Sequence, residues 1–191
     1  MNSNVRNILK VYDRATASEI NEGLIWYSRA NAEARILHDK PSVGCAAVAA
    51  LSPGLRWERN IEAARRVIDG ESLDGLGVRW YDGVRKAERI VAGEKPLDVL
   101  RGNKVRAFYR CIINPKNSRD VCLDGHAYAI WAGRRMNLLD VPNITDRMYS
   151  AISEDYRQAA ELIGILPNQI QAITWIVWRR IHLDKGQLRL F

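Results

Sequence analysis

The residues best suited to chemistry lie between Arg101 and Asp124. Arg101, Lys104, Arg106, Arg110, Lys116 and Arg119 fall within nineteen consecutive residues that contain no acidic side chain. A solvated helix face normally mixes both signs, so a run of one sign points to a polyanionic partner, and nucleic-acid phosphate is the expectation. Next comes Val121-Cys122-Leu123-Asp124-Gly125-His126, an apolar approach to a carboxylate that opens a helix. Such a carboxylate can cap the helix, and a fixed one can also stabilise positive charge developing on a substrate. His126 is a candidate to orient a phosphate or that carboxylate, set against the ordinary role of a packed histidine.

Other chemistries find little here. Cys45, Cys111 and Cys122 are scattered among apolar neighbours and read as buried thiols, while His38, His126 and His182 form no ligand pair. We therefore expect no metal site and no cofactor. The net charge is +7, and 47% of the 191 residues are apolar, an ordinary globular share. The longest apolar runs, such as Val43–Leu51, fall short of the ~20 residues a membrane span needs. The segment Met1–Arg6 lacks the apolar core of a signal peptide, so a cytoplasmic protein without membrane partners is expected.

The elements that must position these residues read as helices throughout. Ser18-Glu19 opens one that ends near His38, with Ile20, Leu24, Tyr27 and Ala30 at helical spacing. Pro41 starts a small-residue helix that Ser52-Pro53-Gly54 stops. Arg56–Ile68 follows, then a Gly-rich loop over Leu73–Arg79, and a helix over Tyr81–Val91. After Leu97–Leu100 and Gly102, Asn103–Ile112 is helical. A helix from Asp124 to about Arg134 comes next, then Thr145–Ile163 with Ser153 as a candidate break, and a last helix from Pro167-Asn168. Its Trp175 and Trp178 read as packing residues, leaving Arg179 and Arg180 for phosphates. With no strand-length alternation, the chain is expected to be all-α: one domain of about nine or ten short helices.

Three stretches in order resemble the helix-hairpin-helix DNA glycosylases of the endonuclease III type. They are Val43–Pro53 with Trp57 and Asn60; Lys86-Ala87 with Leu100-Arg101-Gly102-Asn103-Lys104-Val105-Arg106-Ala107; and Val121–Ala127. Together they cover roughly 43–135. The resemblance implies two helical lobes with a DNA-facing cleft between them and an enzyme that flips a damaged or modified base out of double-stranded DNA and cuts its N-glycosidic bond. Asp124 then holds the catalytic carboxylate, and Arg101, Gly102, Asn103, Lys104, Arg106, Arg110 and His126 are the DNA contacts. Trp80, Tyr81 and Tyr128 are candidates to stack on the flipped base, although single aromatics more commonly serve as core.

Two departures qualify the pattern. Lys104 stands where the family's second hairpin glycine belongs, so an ammonium replaces backbone donors or the hairpin is degenerate. The Schiff-base lysine of bifunctional members corresponds to Arg106, which stays protonated, leaving Lys104 as the candidate amine. A monofunctional enzyme is therefore favoured over a lyase. The alternatives are a glycosylase-like enzyme of phage DNA base hypermodification and a non-catalytic DNA-binding protein.

If the basic run contacts DNA, Lys104→Ala and Arg110→Ala should each weaken duplex binding and flatten its salt dependence by roughly one counterion. Fluorescence anisotropy across a salt series tests this, and unchanged slopes count against the run as the DNA face.

Overall fold

The computed structural model describes residues 1–78 and 81–182, with Leu138 described by its backbone alone. Among the described residues the regular structure is helical, as the sequence leads one to expect, with no strand. The α-helices are α1 (Ser3–Tyr12), α2 (Ala17–Arg35), α3 (Pro41–Leu51), α4 (Trp57–Asp69), α5 (Tyr81–Val91), α6 (Pro96–Val99), α7 (Asn103–Ile113), α8 (Gly125–Ala132), α9 (Asp146–Ile163) and α10 (Pro167–His182). A 3-10 turn spans Leu138–Asp140. No helix among the described residues is long and apolar enough to cross a membrane. Contacts divide the described residues into two compact units, one of residues 1–27 and 115–182, the other of residues 28–114.

The first unit is built on α1, α8, α9, α10 and the start of α2. Its centre holds Val5, Ile8, Ile130, Ile152, Tyr156, Ile170 and Ile173, all fully buried. The sequence reading missed α1. Its ten residues would be marginal as an isolated helix. What holds it is the packing of Val5, Ile8 and Val11, the Asn2 cap on the Val5 N–H (2.9 Å) and the Asn7 amide bonded to the Trp131 carbonyl (3.1 Å).

Helix α2 begins at Ala17, one residue before the expected opening. Thr16 and Glu19 form a capping box: the Thr16 N–H donates to Glu19 Oε2 (2.9 Å) and the Glu19 N–H to Thr16 Oγ1 (3.3 Å). Glu19 also receives the Arg180 guanidinium at 2.6 Å, which holds its carboxyl below the usual range. Arg180 further donates to the Arg14 carbonyl (2.9 Å). The expectation that Arg180 is left for phosphate is thereby corrected, since it ties α10 to the start of α2. Helix α9 runs unbroken through Ser153, whose small side chain lies on the buried face with Ile152, Tyr156 and Ala160. Helix α8 ends at Ala132 because Gly133 adopts φ 69°, a left-handed cap.

The second unit is organised by α3. Every residue from Val43 to Leu51 is buried, so α3 is enclosed on all sides. Only small side chains permit that. Gly44 lies against the Ala34 carbonyl of α2, and a Cβ on Gly83 of α5 would come within 2.6 Å of the Ala50 carbonyl. Asn60 of α4 donates to the Val48 carbonyl (3.0 Å). The cysteines are buried as expected, and burial pushes the Cys45 thiol up to about 11.

Alanine is normally the better helix former by about 1 kcal/mol. Gly83→Ala should nonetheless destabilise the protein by about 1–3 kcal/mol, because its methyl meets backbone that cannot yield. Urea denaturation with unchanged m-value checks this.

Candidate functional site

The residues singled out from the sequence fall into both units. Asp124, His126 and Tyr128 belong to the first, as do Lys116 and Arg119; Arg101, Gly102, Asn103, Lys104, Arg106, Arg110 and Tyr81 belong to the second. The basic run, continuous in sequence, is thus shared between two bodies.

In the first unit, Val121–Leu123 runs extended toward Asp124. Tyr149 of α9 fixes this approach, its hydroxyl donating to the Val121 carbonyl (2.7 Å) and accepting the Leu123 N–H (3.2 Å). Asp124 then turns into α8 as its N-cap, with φ −101° and ψ −176°. Its Oδ1 accepts the Ala127 N–H at 2.8 Å, and its Oδ2 accepts the indole Nε1–H of Trp175 at 2.9 Å. The two donors fix both the position and the rotation of the carboxylate, and the residue as a whole is partly buried. Behind it Tyr156 is fully buried, donating to the Ala127 carbonyl (3.2 Å); burial, with the nearby Asp124 charge, pushes its phenol well above the usual range.

Trp175 is the residue that the sequence reading misassigned. It was expected to pack like Trp178, which is buried, yet its N–H binds Asp124 and its ring carries the Arg179 guanidinium 4.4 Å from the centroid. His126 meets the same ring edge-on at 6.5 Å. The i, i+4 spacing of Trp175 and Arg179 is the signal that the sequence offered. Tyr149 carried no such local signal.

In the second unit, Leu100 is buried and Gly102 takes φ 77°, a conformation that disfavours side chains, before α7 begins. The N-cap residue is Gly102 itself, which has no side chain to offer, and no acidic residue stands in the first turn of α7. The helix dipole and the exposed Arg101 and Lys104 therefore sum to an anion-attracting end. Arg106 is used internally: its guanidinium donates to the Leu100 (3.0 Å) and Leu97 (2.6 Å) carbonyls and braces the turn. Arg110, half-buried, follows one turn later on the same face, whereas Lys104 lies roughly 200° around the helix from Arg106. The cations do not make one stripe.

The proposed base-stacking residues fare differently. Tyr128 is only 8% exposed and packs against Trp131 with centroids 5.6 Å apart, so it is core rather than a stacking face. Tyr81 is 75% exposed, but it borders a groove also lined by Glu71, Asp74 and Glu88, whose charge repels phosphate. Trp80 lies outside the described residues. Among those described, no group of three or more His, Cys, Asp or Glu side chains is placed to hold a metal ion.

Asp124→Ala removes a cap and should cost about 0.5–2 kcal/mol. Asp124→Asn keeps an acceptor for the Ala127 N–H but sets an amide N–H against the Trp175 indole N–H, so thermal melting should place it between wild type and Asp124→Ala, with the α8 cap retained.

A family model described as a family of unknown function (DUF7178) matches residues 1–182. No curated protein and no solved structure matches the chain.

Proposed function

The chain belongs to this family, and we propose that it binds DNA and excises a flipped, damaged or modified base, with Asp124 as the working carboxylate. The observation that carries this reading is the partly buried Asp124, its carboxylate held by two donors 2.8 and 2.9 Å away. A group held in this way loses little further freedom when it acts, which is what stabilising a short-lived cation requires.

In the reaction, the C1′–N bond breaks and its electron pair leaves with the base, which takes up a proton. The sugar becomes oxocarbenium-like, and Asp124 stabilises that charge. Water adds at C1′ and gives up its proton, so no covalent enzyme intermediate forms. The start of α7, with Gly102, Asn103, Arg101 and Lys104, supplies phosphate contacts. Lys104 serves there as a cation: a lysine nucleophile needs a desolvated amine, and Lys104 is exposed.

One observation favours a second reading, a DNA-binding protein without turnover. Both Asp124 oxygens already serve structural hydrogen bonds, which would conserve the residue's geometry whether or not it reacts. An enzyme that alters a base in place would also need the carboxylate but would release nothing.

Base release, followed by mass spectrometry on normal, damaged and modified DNAs, separates these readings. Free base from wild type, with a loss of roughly 100-fold or more in Asp124→Asn, is expected. Equal, salt-dependent binding by both proteins with no free base would replace excision with binding alone, and an altered base retained in the DNA would indicate modification.

A further inference from the structure

Resting on that reading, we infer that Trp175 is a two-sided positioning residue: its edge orients the Asp124 carboxylate, and its face holds Arg179 as the contact for the phosphate beside the target sugar. Two geometric facts meet on one indole. Its Nε1 donates to Asp124 Oδ2 at 2.9 Å, and the Arg179 Cζ sits 4.4 Å from its centroid. Because Oδ1 is taken up by the Ala127 N–H, the bond from Trp175 sets the rotation of the carboxylate about its own axis.

The ring thus puts a negative and a positive group side by side, each on a different part of the same rigid plane. A sugar that develops positive charge suits the carboxylate, and its flanking phosphodiester suits a planar guanidinium. Stacking on the indole pre-orders the Arg179 side chain, so less rotamer freedom is lost on binding. The substrate class follows: a nucleotide within a polynucleotide, with phosphate attached, rather than a free nucleoside. His126 meets the same ring edge-on, 6.5 Å between centroids.

Two substitutions divide the roles. Trp175→Phe keeps a ring for Arg179 but deletes the N–H, whereas Arg179→Ala keeps the N–H and deletes the cation. Single-turnover base release at saturating DNA should slow by roughly 10–100-fold in Trp175→Phe, with duplex affinity and its salt slope unchanged. Arg179→Ala should bind more weakly, with a salt slope reduced by about 0.9. A wild-type rate in Trp175→Phe, or a wild-type slope in Arg179→Ala, overturns the inference while leaving excision intact. Wild type that binds DNA but releases no base overturns excision and with it the role of Trp175; the salt slope of Arg179→Ala still decides the phosphate contact. Should Trp175→Phe fail to fold, as read by thermal melting, Arg179→Ala decides the proposal, since it lies outside the packed core.

Discussion

The second unit depends on how closely backbones can approach α3. A helix buried around its whole circumference, as α3 is from Val43 to Leu51, cannot carry long side chains and leave room for neighbours. Its glycine and alanines remove that obstacle. The Ala34 and Ala50 carbonyls then lie against glycine rather than against branched carbon, and α2 and α5 settle at short range. Backbone-to-backbone packing of this kind is stiff, because there is no side-chain rotamer to absorb a displacement. The turn at Gly102 inherits that stiffness through Leu100, which is buried in the same unit.

The first unit solves a different problem. It places one carboxylate at the start of a helix and fixes its rotation with side chains from two helices and a backbone N–H from a third. Tyr149 from α9 sets the approach, the Ala127 N–H of α8 takes one oxygen, and Trp175 of α10 takes the other. The cap of α8 and the orientation of the carboxylate therefore draw on the same atoms.

Much of this was legible in sequence where the signals were local. Helices α4, α5, α7 and α10 lie close to where the apolar spacing and the Gly and Pro boundaries put them. The carboxylate at the start of α8 was visible as a cap for the same reason. What could not be read was pairing across the chain. Glu19 and Arg180 meet although 161 positions separate them, so Arg180 was mistaken for a spare cation. Helix α1 owes its existence to partners more than a hundred residues away. Trp175 reads from its spacing only as a packing residue, because hydrophobic spacing says nothing of where an indole N–H points. Charge misled as well: six cations adjacent in sequence are distributed over two bodies and around a helix rather than along one face.

The division at residues 27 and 115 bears on how the molecule assembles. One unit is a continuous stretch, residues 28–114, while the other is split and needs both its early and late segments. The ends of the continuous stretch are stitched together, Asn31 donating to the Ile112 carbonyl at 2.9 Å. During synthesis the continuous stretch can therefore complete itself while α1 still waits for α8, α9 and α10 to emerge. Its closure converts a long flexible tether between the two halves of the split unit into a short one, lowering the entropic cost of their meeting by about 3 kcal/mol. The topology is that of an inserted module whose own folding brings its host together.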